Sequence, residues 1–361
     1  MPAGDHPTVL HYVGYDADRG GIVSVVRALA GAGRFACVLG MNRGAVQART
    51  PALEVLELPR ISGEKIGVGT AMRALVVARA VRRWLREDPE RIFHGHSRAG
   101  LLVARWLAGM GECRVVATVH VFGRQRWFYR RAAAALGGRL CWLGPSMKSY
   151  YGLPADGWKG CLPDCIPEAC VRPARPRPLA LVVTFGCVGA LVPVKQWELV
   201  LDALEQVPAE VPLRVVQAGA GDPGSREYAA GLRRRAEAPA LASRFAWRGP
   251  VEDMAEFYAG IDCLVVAATR EASSVAALEA VAAGVPVLAS AGSGTRDLIA
   301  RCRGGWLFPA DSAEALGRRM AELARGPELA AWRRDEAGLT EFTAAKSAAA
   351  HAAVYQTLLR G

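Results

Sequence analysis

The feature that most restricts the fold is a regular alternation, along 361 residues, of short β-branched runs with longer Ala-, Leu- and Arg-rich stretches. A short, uniformly apolar run suits a strand buried on both faces, and a longer stretch at helical spacing suits the helix that covers it. Such alternation predicts parallel sheets layered with helices. In the first half the runs are Thr8–Val13, Phe35–Leu39, Ile92–His94, Arg114–Val119 and Leu140–Leu143, with helical spacing over Ile22–Ala32 and Ala71–Arg86. A second series follows at Leu181–Phe185, Leu213–Ala218, Phe245–Trp247, Cys263–Val266 and Val285–Ala289. The expected fold class is α/β with two doubly wound parallel-sheet domains, because this length exceeds what one core usually fills.

The expected domains are residues 1–170 and 180–343. The linker is 171–179, where Pro173, Pro176 and Pro178 sit among charged residues. The Ala-rich segment 344–361 is expected to be helical and to return to the first domain. No run of about 18 apolar residues is present, and Met1–His11 lacks a basic-then-apolar leader, so the expectation is a cytoplasmic protein. Cys161, Cys165 and Cys170 do not form a paired C-x-x-C site, and the nine cysteines are read as reduced thiols with no metal.

The net charge of +11 is unevenly spread. Residues 1–179 carry 26 Lys and Arg against 13 Asp and Glu, whereas residues 180–361 carry 19 against 21. An excess confined to one half suggests an anionic partner for it, against the alternative of a solvated, arginine-rich surface. Two stretches supply much of it: Arg73, Arg79, Arg82, Arg83 and Arg86 on one helix, and Arg124, Arg126, Arg130 and Arg131 around Trp127, Phe128 and Tyr129. Arginines with aromatics suit a phosphate-bearing acceptor at a membrane interface. No nucleic-acid module is recognisable, and nucleic acid is not the expected partner.

The densest chemistry lies in Leu264–Ser290. A strand-like LVVAA runs into the turn Thr269–Ser274, then a helix from Val275 to Ala283 stopped by Gly284, with Pro286 beyond. Ser273 or Ser274 is the natural N-cap. The helix N-terminus then lies at the carboxyl edge of the sheet, where free amides suit a phosphate. Glu271 precedes the helix and Glu279 lies on it. Two carboxylates can each hold vicinal hydroxyls, one on a ribose and one on a sugar ring. Equally, Glu271 can simply favour the helix dipole and Glu279 face solvent; these residues alone leave both open.

Six segments in order resemble retaining glycosyltransferase family four, a group with the GT-B fold of two facing Rossmann-like domains and a cleft between them. They are Gly20-Gly21, Thr118-Val119-His120, Gly144-Pro145-Ser146, Gly189-x5-Lys195, Glu271-x7-Glu279 with Gly284-Val285-Pro286, and Gly304–Asp311. The resemblance implies transfer of a sugar from a UDP- or GDP-type donor, with retention and without a metal or other cofactor. The implied acceptor is a hydroxyl of a cell-envelope glycan, lipopolysaccharide or lipid-linked saccharide. By resemblance Glu279 binds the ribose, and Glu271 and His120 lie against the donor sugar. Lys195 neutralises the leaving diphosphate, Ser273, Ser274 and Val275 offer amides to it, and Gly20, Gly21 and Gly189 line the donor site. Arg124, Arg126 and Arg130 fall on the acceptor side, and a peripheral position on the inner membrane face is expected.

Two departures from the family pattern stand out. Ala190 replaces the usual arginine after the glycine, with Arg248, Arg270 or Arg296 as possible substitutes, and Gln196 replaces the glycine after the lysine. The rival expectations are a silent relative that binds sugar nucleotide or glycan, and a sugar-nucleotide epimerase on the same fold. His94 and His96 are weaker candidates, because a two-histidine metal site needs further ligands.

Overall fold

The structure is a computed structural model, and it describes residues 6–18, 20–45, 53–61, 67–154, 159–173, 181–221 and 223–360. The predicted linker lies mostly outside these. The chain divides into two units, one of residues 1–168 with 341–361 and one of residues 169–340.

The first unit holds a seven-stranded sheet: β1 (Thr8–Tyr12), β2 (Ala36–Asn42), β3 (Glu54–Leu58), β4 (Arg91–Gly95), β5 (Val115–Thr118), β6 (Leu140–Trp142) and β7 (Gly160–Cys161). Their order is β3-β2-β1-β4-β5-β6-β7, every pair parallel. The sequence reading missed β3 and β7. The first reads EVLEL, with glutamates at the first and fourth of its five positions, which breaks the apolar run. The second is two residues long, too short for any periodicity. Helices α1 (Gly21–Gly31), α2 (Val68–Arg86), α3 (Arg98–Gly109), α4 (Arg126–Ala135) and α5 (Pro145–Tyr151) connect the strands.

The second unit repeats the plan with β8 (Val183–Val188), β9 (Leu213–Ala218), β10 (Phe245–Gly249), β11 (Cys263–Val266), β12 (Val287–Ser290) and β13 (Gly305–Phe308), in the order β10-β9-β8-β11-β12-β13. Its helices are α6 (Trp197–Gln206), α7 (Arg226–Ala236), α8 (Pro239–Ala242), α9 (Met254–Ala259), α10 (Val275–Ala282), α11 (Thr295–Cys302), α12 (Ala313–Arg325), α13 (Glu328–Ala331) and α14 (Glu336–Thr340). Its core packs Val183, Phe185 and Val215 of the sheet against Leu201, Leu204 and Met320 of the helices. The all-parallel strands are buried on both faces, which is why they read as unbroken apolar runs.

The last helix, α15 (Ala344–Leu359), belongs to the first unit. Its entry is stitched by Ile166 N to Phe342 O (3.1 Å) and Ala344 N to Ile166 O (2.8 Å). Tyr355 on this helix is fully buried. In each sheet the strand order reverses beside the first strand of the unit, between β1 and β4 and between β8 and β11. At such a switch point the two connecting loops run in opposite directions and leave a crevice at the carboxyl ends of the strands.

Candidate functional site

The two strands at the second switch point deliver the chemistry of that unit. The loop after β8 carries Lys195, and the loop after β11 carries Glu271. Lys195 Nζ donates to Glu271 Oε1 at 2.7 Å, with the two side chains about one-quarter and one-fifth exposed. The other carboxylate oxygen, Glu271 Oε2, is buried and has no hydrogen-bond partner among the described residues. A buried acceptor without a donor costs about 1–3 kcal/mol, and such a group asks for an explanation.

Local backbone chemistry sets both residues. Gly189 has φ +143, and a Cβ there would lie 3.1 Å from Lys195 Cε, so the glycine leaves room for the lysine stem. Lys195 ends a short 3-10 turn, Pro193–Lys195, rather than starting a helix; α6 begins only after Gln196. Gln196 sits at φ +55, ψ +47, a left-handed conformation that favours glycine. The family glycine that this glutamine replaces therefore has a physical basis. The Gln196 amide donates to Asp311 Oδ1 at 2.7 Å, which ties the Lys195 turn to the end of the Gly304–Asp311 segment.

On the opposite side, the Glu271 carbonyl accepts from Gly294 N (2.8 Å) and Ser293 Oγ (3.2 Å). A Cβ at Gly294 would lie 1.9 Å from Ala272 O, so only glycine lets the β12–α11 loop press against the Glu271 turn. Ser293 and Gly294 were not singled out from the sequence, although a Gly-Ser-Gly run between strand and helix was the available signal.

Helix α10 starts as predicted. Ser274 is its N-cap, accepting from Ala277 N at 3.3 Å, Val275 is its first residue, and Gly284 follows its end at φ +79. Ser273 is partly exposed in the turn ahead of it. Glu279 is not a free surface carboxylate: Tyr258 Oη donates to its Oε2 at 2.8 Å, and burial raises its pKa above the usual range, partly offset by that hydrogen bond. Tyr258 on α9 was missed, since nothing in its spacing marks it. The structure thus holds Glu271 and Glu279 in two separate hydrogen-bonded pairs. Arg248 is exposed on the edge strand β10 and makes no ion pair among the described residues. Arg296 donates to Ala291 O at 3.1 Å.

In the first unit, Gly20 stands at φ +113 ahead of α1, and Gly21 is the first helical residue. The preceding loop is fixed by Asn42, whose amide donates to Gly14 O (3.0 Å) and Asp16 Oδ1 (2.8 Å). Asn42 too was missed. Among the predicted acceptor-side arginines, Arg126 stacks on Tyr150 with its guanidinium carbon 4.2 Å from the ring centroid. Arg130 Nε donates to Tyr151 O at 3.0 Å, and Arg124 is exposed.

The pairing registers set His11 beside His94 and Val9 beside Cys37, and the β4–β5 register, continued one residue past Gly95 and Ala117, sets His96 beside Thr118. Side chains alternate along a strand, so Cys37, His11, His94, His96, Thr118 and His120 share one face of the sheet. They form a connected network. His120 Nε2 lies 3.0 Å from His96 Nδ1, His96 Nε2 lies 2.9 Å from His11 Nδ1, and His11 Nε2 lies 3.7 Å from Cys37 Sγ. His94 bonds Tyr355 Oη and Thr118 Oγ1, both at 2.7 Å. The candidate ligand atoms of His11, His94 and His96 lie within 4.8 Å of one another. All six ring nitrogens have hydrogen-bond partners, however, so the geometry is that of a hydrogen-bonded network rather than a set of lone pairs aimed at a cation. Burial, reinforced by the neighbouring imidazoles, pushes His11 and His120 down to about 3 and His94 and His96 well below the ordinary value.

Two all-parallel Rossmann-like units, each with its charged or titratable groups at the carboxyl edge of the switch point, define the GT-B class of fold. Solved structures agree over the whole chain. Anabaena HepE in complex with UDP and glucose aligns with a TM-score of 0.69 at 16% identity over 98% of both chains. The sucrose-phosphate synthase of Thermosynechococcus elongatus aligns at 0.76 and 19% identity, over 99% of this chain and 100% of that one. Within the sequence, residues 182–325 match the family model described as glycosyl transferases group 1. A 206-residue stretch is 34% identical to the D-inositol 3-phosphate glycosyltransferase of Geodermatophilus obscurus, over 50% of this chain and 45% of that protein. A 55-residue stretch is 42% identical to the putative colanic acid biosynthesis glycosyltransferase WcaL of Salmonella typhimurium, over 15% and 14%. The chain spans less than half the length of these curated relatives.

Proposed function

We propose that the protein is a retaining, metal-independent glycosyltransferase that moves a sugar from a nucleoside-diphosphate sugar to an acceptor hydroxyl. The observation that carries this reading is the Lys195–Glu271 pair at the β8–β11 switch point, with Glu271 Oε2 buried and unpartnered. A donor-sugar hydroxyl supplies the hydrogen that this oxygen lacks. Lys195, held by Glu271, stabilises the negative charge that grows on the diphosphate as the glycosidic bond breaks. The amides at the start of α10, at Ser273, Ser274 and Val275, receive the diphosphate oxygens. Glu279, whose Oε2 already accepts from Tyr258 Oη, receives hydrogen bonds from the two ribose hydroxyls. Gly189 belongs to the donor set of this unit; in the first unit, taken by itself, Gly20, Gly21 and His120 are the residues we assign to the donor, His120 to its sugar. Ala190 leaves one cation fewer than the family pattern, and this is what keeps a silent sugar-nucleotide-binding relative as the second reading.

The acceptor we propose is anionic: a lipid-linked saccharide or cell-envelope glycan presented at a membrane surface, approached through Arg124, Arg126 and Arg130. Helices α2 and α3 support an anionic lipid surface as partner. Val68, Met72 and Val76, at every fourth residue of α2, are all more than half exposed, and Trp106 of α3 stands beside them, donating to Ala71 O at 2.9 Å. The same two helices carry the exposed Arg73, Arg79, Arg83 and Arg105, and neither contains a carboxylate. An apolar stripe on helices that also carry exposed arginines matches the headgroup boundary, where Trp and Arg side chains divide between the two phases. No helix among the described residues is long and apolar enough to cross a membrane.

Thermal melting against UDP, GDP, ADP, TDP and CMP compounds tests the donor site, since a ligand of the native state raises Tm. The expected result is a rise with one diphosphate family that is lost in Glu279→Ala. A rise that survives in Glu279→Ala refutes the ribose assignment, and no rise with any compound refutes the active transferase and favours the silent relative. Co-sedimentation with vesicles containing phosphatidylglycerol tests the surface. Binding is expected to weaken with salt and with Met72→Asp, and equal binding to neutral vesicles refutes it.

A further inference from the structure

The buried histidine network of the first unit has a direction that its hydrogen-bond partners fix. We infer that Cys37, His11, His96 and His120 form a one-way hydrogen-bond relay, anchored on Asp164, that holds His120 as its Nδ1–H tautomer.

The chain Cys37 Sγ, His11 Nε2/Nδ1, His96 Nε2/Nδ1 and His120 Nε2 contains three contacts, at 3.7, 2.9 and 3.0 Å. Each neutral imidazole has one N–H and one lone pair, and each contact needs one hydrogen between its two atoms. Only two arrangements satisfy every contact, with all protons pointing towards His120 or all pointing towards Cys37. The rings are neutral in the folded state because burial disfavours their cations.

Both ends select the same direction. At the far end, burial raises the Cys37 thiol to about 12, so it carries its hydrogen. A thiol donating to an imidazole nitrogen is a better contact than an N–H donating to sulfur, a weak acceptor. At the near end, His120 Nδ1 lies 3.8 Å from Asp164 Oδ1, and both side chains are at least 90% buried. A carboxylate offers only acceptors, so an N–H facing it is stabilised and a lone pair facing it is repelled. The hydrogens therefore run Cys37 to His11, His11 to His96 and His96 to His120, and the remaining His120 proton sits on Nδ1.

This has a chemical consequence. At 3.8 Å the Asp164 contact is too long to saturate the Nδ1–H. His120 is also the most exposed ring of the relay. It presents a hydrogen-bond donor, so the ligand atom it meets is an oxygen acceptor. His96, His11 and Asp164 are positioning residues that act through His120. This last step rests on the donor-site reading above, whereas the relay itself does not.

The test is nitrogen NMR of the full chain labelled with 15N-histidine, using two-bond correlations that separate protonated from bare ring nitrogens. Resonances are assigned by single His→Gln variants. His11, His96 and His120 are each expected to be protonated at Nδ1 and bare at Nε2. Protonation of Nε2 on His96 or His120 in the wild type overturns the relay, and this arm needs no variant to fold. Asp164→Asn removes the carboxylate and is expected to convert His120 to a mixture of tautomers. An unchanged pure Nδ1–H form in that variant overturns the anchoring role. Addition of UDP-glucose is expected to move the His120 Nδ1–H resonance; Nδ1–H tautomers with no such movement support the relay and count against the donor reading instead.

Discussion

Acidification should unfold the first unit while leaving the second largely intact. All six histidines lie in the first unit or its C-terminal helix, and residues 169–340 contain none. Five of them, His11, His94, His96, His120 and His351, are held neutral by burial, with His11 and His120 at about 3 and His351 at about 4. Their folded pKa values lie below the unfolded value, so the unfolded state takes up protons first as pH falls. Stability is fully present above pH 6.5 and is lost between there and the folded pKa values. At pH 5.5, one unit below the unfolded pKa, each ring costs about 1.4 kcal/mol, or about 7 kcal/mol for five. That is comparable with the whole stability of a domain, about 5–15 kcal/mol. Hydrogen exchange read by mass spectrometry separates the two units. Between pH 8 and 5.5, after correction for intrinsic exchange, β1, β4 and β5 should lose up to about five orders of magnitude more protection than β8 and β11. Glu279, whose pKa is raised, shifts the second unit the other way. Equal loss in both units, or none in the first, would refute the assignment of five neutral buried rings.

Tyr258→Phe should destabilise the second unit at pH 7 by about 1.5–3 kcal/mol, the worth of a hydrogen bond to a charged group. Because the Glu279 pKa is raised, the deficit in urea midpoint should shrink in acid as the carboxyl takes its proton, and a pH-independent deficit counts against a charged partner. Gly294→Ala meets Ala272 O at 1.9 Å with an otherwise permissive backbone. It should cost about 1–3 kcal/mol of overpacking and abolish the nucleotide-induced rise in Tm; an unchanged Tm would mean the loop gives way. Gln196→Gly relieves the left-handed backbone, worth about 1–2 kcal/mol, and loses the Asp311 hydrogen bond. A net gain of up to about 1 kcal/mol is expected in chemical denaturation, and a loss would mean the amide link dominates.

The fold was legible because both sheets are parallel and buried on two faces. Thr8–Tyr12, Leu213–Ala218 and Cys263–Val266 therefore read as apolar runs within a residue of their true bounds. Ser274 as N-cap and Gly284 past the helix end were equally local, since capping depends on a few consecutive residues. Strand β3 was hidden by glutamates that pattern reading takes for a loop. What sequence alone could not decide is which distant side chains meet. Lys195 and Glu271 are 76 residues apart and touch because strand order places β8 beside β11. Tyr258 reaches Glu279 from a helix whose spacing carries no mark of it. The histidines sit one strand apart at positions 11, 94 and 120, and only parallel register brings them onto one face beneath α15. Local capping and burial follow from neighbouring residues; pairing across a sheet follows from the topology that the whole core selects.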